Sequence, residues 1–251
     1  MKCVILVEDP TNHLNSTGVD WSRTGGDPEV FLESKKVWEK ARENLDEDFK
    51  IVFCSVDPNI PEETPRLENG TMWLNGSRKD SEMLKFVADV FAFTHKNFEY
   101  DFILATTLGS FWVIDRLKKA LECLPRTGIY TGRKWDAGSL AWPPWEFISG
   151  SGAVFSRDVI ELFLKKRSMT DRVSHPCGDA IIGLFMLQNG IEVLRQDWWM
   201  DLDQNTLEGL DERIRDGDSR GIAHYRVKNC ANRLYFDPII LNRLYDWYSR
   251  A

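Results

Sequence analysis

Residues 147–158 of this 251-residue chain read Phe147-Ile-Ser-Gly-Ser-Gly-Ala-Val-Phe-Ser-Arg-Asp158. The run is apolar and β-prone apart from its glycines. Gly150 and Gly152 sit in the strand interior, where glycine weakens pairing but lets another backbone or a ligand approach closely. The run passes at Ser156 into a helical pattern that extends to about Lys166, with Ser156 suited to the cap. About twenty residues later comes Gly178-Asp-Ala-Ile-Ile-Gly183, which opens a helix of few polar residues through Gln188. A helix that is apolar all round is buried. Asp179 therefore stands in the first turn of a buried helix, where the dipole favours a carboxylate. A carboxylate there serves as a cap or takes a proton from a bound hydroxyl.

Upstream and downstream of this pair, short apolar runs alternate with helical stripes. Strands are expected at Lys2–Val7, Phe49–Val56, Thr71–Leu74, Asp101–Thr107, Gly128–Trp135, Glu146–Phe155, Ile191–Trp199 and His224–Lys228. Helices are expected at Pro28–Leu45 (capped by Asp27), Ser81–Asn97, Ser110–Leu124, Ser156–Lys166, Gly178–Gln188 and Pro238–Arg250. Residues 11–27 read as a polar, Gly-rich loop, and the charged run 201–221 as a mobile segment. The fold class is α/β: a mixed, mostly parallel sheet flanked by helices.

Composition narrows the function. Lys plus Arg total 32 and Asp plus Glu 39, a net charge of −7, which argues against nucleic acid as a partner. No run of about 18 apolar residues offers a membrane span. The start, MKCVILVEDP, reads as a first strand rather than a signal peptide. Five separated cysteines without CxxC spacing make a structural zinc site improbable and suit a reducing, cytoplasmic setting. Sequons at Asn15, Asn69 and Asn75 are then unused. GxGxxG, GxxxxGK[ST] and GxSxG are all absent, which weighs against dinucleotide-binding, P-loop and α/β-hydrolase enzymes.

The order DFILATT (101–107), helix, TGIYTG (127–132), FISGSGAVFSRD (147–158), GDAIIG (178–183) resembles the GT-A glycosyltransferases of the fringe and β-1,3-galactosyltransferase kind. Their pattern has a strand ending in a DxD motif, a Gly-rich strand similar to SGGGYVLSRD, and an EDVxxG motif. The resemblance covers roughly residues 100–195, and elsewhere only the order of elements. It implies the nucleotide-diphospho-sugar transferase fold as a single domain over 1–251, with a nucleotide-binding half (1–107) and an acceptor and catalytic half (108–251). The implied reaction is inverting transfer from a UDP- or GDP-sugar to a hydroxyl of an oligosaccharide or glycoprotein. Asp179 takes the general-base position, and Ser149, Gly150, Ser151 and Gly152 would line the sugars. Trp142 and Trp145 are candidates to stack on a sugar face or to clasp a loop.

The chain departs from the pattern in two places. Gly178 stands where the family has an acid before the base. Where the DxD belongs, the residues are Thr106-Thr-Leu-Gly-Ser110, with no carboxylate for Mn²⁺ or Mg²⁺. Other cations must then meet the diphosphate. In a strand through 224–228, His224, Arg226 and Lys228 alternate onto one face and would supply them. In metal-using relatives a C-terminal His ligates the ion, so His224 is the weak metal candidate. Asp201-x-Asp203 is a DxD by letters only. Thr106, Thr107 and Ser110 are expected on ribose or phosphate, with Ser110 also suited to a helix cap. Asp9 and Asp57, at strand ends, face the nucleotide or cap their loops. The run 207–220 would be a lid over the donor. The alternative is a non-catalytic nucleotide-sugar or glycan-binding protein on the same fold. A stand-alone domain of this kind fits a viral or microbial source.

Overall fold

The computed structural model describes residues 1–11, 29–57, 59–61, 65–75, 83–136, 145–169, 178–202, 206–228 and 232–249. Trp142, Asp203 and the sequon at Asn15 lie outside them, as do the expected loop after Thr11 and the cap at Asp27. The contacts group into two compact units, Met1–Glu8 with Asp48–Thr106 and Leu124–Gln196, and Asp9–Glu47 with Thr107–Cys123 and Asp197–Ala251.

The first unit is built on β1 (Cys3–Glu8), β2 (Phe49–Val56), β3 (Arg66–Glu68), β4 (Thr71–Leu74), β5 (Phe102–Thr107), β7 (Tyr130–Asp136) and β8 (Glu146–Ser156). They form one sheet in the order β3-β4-β2-β1-β5-β8-β7. β1 and β2 are parallel, as are β2 and β4, whereas β8 runs antiparallel to both β5 and β7. Five of the six residues of β1 are buried, the continuous apolar reading of a central strand. Helices α2 (Met83–Asn97), α4 (Arg157–Lys166) and α5 (Gly178–Gln188) belong to the same unit. Val90 and Phe91 of α2, Phe163 of α4 and Phe185 of α5 join Ile103 and Phe155 in one core. Phe91, Phe155, Phe163 and Phe185 make a chain of edge-to-face ring contacts, 5.1–5.9 Å between centroids.

The second unit holds a three-stranded sheet, β6 (Ser110–Trp112), β10 (His224–Arg226) and β9 (Trp199–Asp201), in that order. Its helices are α1 (Glu29–Glu43), α3 (Ile114–Glu122), α6 (Leu210–Ser219) and α7 (Arg233–Tyr248). Val37, Tyr225, Ile240, Leu241 and Leu244 anchor a separate core.

Several expectations are corrected here. Ser110 does not cap a helix: Ser110–Trp112 is a buried strand opposite Arg226, and the helix starts at Ile114. Local letters suited either state, and the partner strand, distant in sequence, decided it. The expected strand Ile191–Trp199 is reduced to one bridge, Leu194 to Thr131, before β9 begins. The charged run holds ordered structure from 206 onward. It contains α6, whose Leu210, Ile214 and Gly217 are buried at helical spacing. Arg116 bonds Asp218, and Arg243 holds Asp211 with its guanidinium fork. The terminal helix begins at Arg233 rather than Pro238. The Asn232 side chain accepts from the Tyr235 N–H and sets the start, leaving Pro238 inside. A proline there removes one helical hydrogen bond, which buried neighbours offset.

Cys3 and Cys54 are buried while Cys123 is exposed, and burial pushes the Cys3 thiol well up. A short iodoacetamide pulse read by peptide mapping should label Cys123 and leave Cys3 and Cys54 unmodified in the native protein.

Candidate functional site

The helix that carries Asp179 is held to the glycine strand at two points. At one, Gly183 lies so close to Phe147 that an added Cβ would stand 2.3 Å from the Phe147 Cβ. At the other, the Gly150 N–H donates to Asp179 Oδ2 at 2.7 Å. A Cβ on Gly150 would fall 2.7 Å from Asp179 Oδ1. The two glycines are thus space requirements: one admits the helix, the other admits its carboxylate. The half-buried Trp145 fastens the same helix, its indole N–H donating to the Ala180 carbonyl at 2.8 Å.

Around this contact the strand is itself shaped by glycine. Gly132 of β7 adopts φ +143°, and a Cβ there would stand 2.0 Å from the Gly152 carbonyl oxygen. The register between β7 and β8 shifts just after it, between Gly132 and Lys134. On the other side, Thr106 faces Gly152 across the β5–β8 ladder, and its hydroxyl donates to the Ser151 carbonyl at 2.7 Å. The Ser149 and Ser151 hydroxyls lie 3.1 Å apart. At the start of β8, the hydrogen bond from Lys134 holds the Glu146 carboxyl below its usual range, despite some opposing desolvation.

A cavity of about 90 Å³ opens beside Asp179 within the first unit. Asp179, Gly150, Thr106 and Glu8 give it a polar wall, and Leu6 and Val90 are among its apolar ones. Glu8 belongs to the Glu8–Asp9 strand end that the sequence marks as a candidate ligand-binding point, and strand alternation carries the signal. Leu6 and Glu8 are two apart in β1 and share a face. Asp9, read as facing the nucleotide or capping its loop, makes the loop cap. It is fully buried, accepts from the Thr11 N–H (2.9 Å) and hydroxyl (2.7 Å), and pairs with Lys35 at 2.7 Å. Asp57 caps its own loop, accepting from Asn59 N at 2.9 Å and Nδ2 at 3.0 Å.

The remaining expected residues fall in the second unit. The strand ends at Arg226, so His224 and Arg226 share a face of β10 and Lys228 lies beyond it. His224 is fully buried, its ring stacked on Trp112 at 4.2 Å and 2° between planes. Arg226 lies opposite Ser110 and 4.0 Å from Asp201. Thr107 ends β5, and Leu108 and Gly109 join it to Ser110 of β6. Among the described residues, no group of three or more His, Cys, Asp or Glu is placed to hold a metal ion, and no helix is long and apolar enough to cross a membrane.

No family model matches the chain, and no curated protein matches it in sequence. Solved structures match it in fold. A glycosyltransferase involved in the glycosylation of the major capsid of PBCV-1 aligns over 97% of this chain and 100% of its own, at 9% identity and TM-score 0.51. The galactosyltransferase LgtC aligns at 8% identity and TM-score 0.47, covering 98% and 96% of the two chains. Mouse xyloside xylosyltransferase 1 aligns at 7% identity and TM-score 0.43, covering 90% and 96%. The chain has the mixed α/β fold of GT-A-type glycosyltransferases.

Proposed function

We propose that the chain is an inverting glycosyltransferase, moving a sugar from a UDP- or GDP-sugar to a hydroxyl of a glycan or glycoprotein. The observation that carries the reading is the placement of Asp179 against Gly150 in the lining of a cavity, on a glycosyltransferase fold. In a single displacement, the acceptor oxygen bonds to the anomeric carbon as the bond to the diphosphate oxygen breaks. The hydroxyl proton passes to Asp179. The Gly150 N–H fixes the carboxylate, so little ordering is needed when the acceptor binds.

GT-A folds commonly use a divalent ion against the diphosphate. The residues at the end of β5, Thr107-Leu108-Gly109, supply a hydroxyl and no carboxylate, so they do not fit such an ion. Arg226 and Lys228 are the proposed cations for the leaving diphosphate. The buried His224 stacks on Trp112 within the strand that carries Arg226. Thr107 and Ser110 are proposed donors to the ribose or phosphate.

The test is a melt of the intact chain with nucleoside diphosphates and their sugars, in Mn²⁺ or in EDTA. A ligand at a hundredfold excess over its Kd stabilises by about 2.7 kcal/mol, or about 5–10 °C in Tm for a chain of this size. One nucleotide series should produce that shift equally in both buffers. A shift that needs Mn²⁺ refutes metal independence, and no shift with any nucleotide-sugar refutes donor binding. Binding without nucleoside diphosphate release across an acceptor panel indicates the non-catalytic reading instead.

A further inference from the structure

β7 and β8 pair in two registers. Tyr130, Thr131 and Gly132 face Phe155, Val154 and Ala153, whereas Lys134, Trp135 and Asp136 face Ile148, Phe147 and Glu146. Between the two stretches β7 has one residue, Arg133, and β8 has four, Ser149–Gly152. Extra residues on one strand make a bulge, which re-aims what the strand carries. This bulge carries Gly150, whose N–H donates to Asp179 Oδ2. A segment in which every second residue is glycine has little stiffness of its own. The place of the carboxylate therefore depends on what pins the bulge.

On the β5 side the Thr106 hydroxyl holds the Ser151 carbonyl at 2.7 Å. On the β7 side a single side chain spans the irregular stretch. The ring of Tyr130 stacks on Phe155, past one end of the bulge, at 5.3 Å between centroids and 22° between planes. Its hydroxyl accepts from the Ile148 N–H, at the other end, at 2.8 Å. The ring is rigid, so each contact fixes the reach of the other. Tyr130 is buried and lines the same cavity as Asp179 and Gly150. Resting on the reading of Asp179 as base, we propose that Tyr130 is a positioning residue for it. Acting through Ile148, the tyrosine hydroxyl holds the bulge where the Gly150 N–H meets the carboxylate. Phenylalanine would keep the stack and remove only the acceptor for a buried N–H.

Tyr130→Phe is compared with Thr131→Val, both in the intact chain. The second variant removes a bond of similar kind from the next residue, the Thr131 hydroxyl to the Leu194 carbonyl at 2.6 Å. Each should lower Tm by a few degrees. Only Tyr130→Phe should speed hydrogen exchange at the Gly150 amide, followed by NMR, by about tenfold or more. Only Tyr130→Phe should lower kcat, by about tenfold to a hundredfold, with acceptor KM and the melt shift in nucleoside diphosphate unchanged. Equal Gly150 exchange in the two variants, or an equal fall in kcat, overturns the proposal. In the wild type the Ile148 amide should exchange as slowly as those of β1. Fast exchange there overturns it as well, whether or not either variant folds. Asp179→Asn separates this inference from the reading beneath it. Slow turnover by Asp179→Asn with wild-type turnover by Tyr130→Phe removes the tyrosine and keeps the base. Wild-type turnover by Asp179→Asn with fast Gly150 exchange in Tyr130→Phe removes the base and keeps the hold of Tyr130 on the bulge.

Discussion

Asp179→Asn is expected to lower the rate of sugar transfer by about a hundred- to ten-thousandfold, the usual contribution of a general base, with donor affinity unchanged. The substitution is close to isosteric. The asparagine carbonyl oxygen can accept from the Gly150 N–H as Oδ2 does now at 2.7 Å, so the helix start and the cavity wall persist. What disappears is the capacity to take a proton. The loss should therefore appear in kcat, while Tm and the melt shift with nucleoside diphosphate stay at wild-type values. Wild-type-like turnover by the variant would remove Asp179 from the mechanism. A fall in Tm that matched the fall in rate would assign it to structure instead.

Gly132→Ala is expected to be the most damaging single methyl in the first unit. The residue sits at φ +143°, and the new Cβ would meet the Gly152 carbonyl oxygen at 2.0 Å and the Ile148 Cγ2 at 2.8 Å. Both obstacles belong to β8, and one is backbone, so neither yields cheaply. Overpacking of this kind with added backbone strain costs about 3 kcal/mol or more, about 6–12 °C in Tm for a chain of this length. Gly128→Ala is the control. It shares a positive φ, +71°, but nothing lies within 4 Å of its added Cβ, so it should cost only the dihedral strain, about 1–2 kcal/mol. Equal melting points for the two variants would show that the close approach of β7 to β8 is relieved elsewhere.

The parts legible in the sequence were those whose signal is local. Helix α5 shows as an apolar run opened by Gly-Asp, and β8 as an apolar run broken by glycines, so their pairing around Asp179 and Gly150 was within reach. The parts that misled were settled by distant partners. Ser110–Trp112 has letters that suit a helix start, and only β10, more than a hundred residues later, makes it a strand. The charged run at 207–220 was read for its surface, although Leu210, Ile214 and Gly217 already spelled a buried stripe. Asp9 and Glu8 divide the two roles read for that strand end, loop cap and ligand wall. Both stand at the end of β1, yet one lines the cavity and the other is spent on Lys35 and Thr11. Alternation from Leu6 would have separated them.

The two-point seating of α5 on β8 works as a ruler. Removing or adding one residue between Asp179 and Gly183 would turn the carboxylate by about 100° around the helix axis, away from Gly150, while the helix stayed apolar and foldable. The address of the acid is thus written in a count of residues rather than in its neighbours.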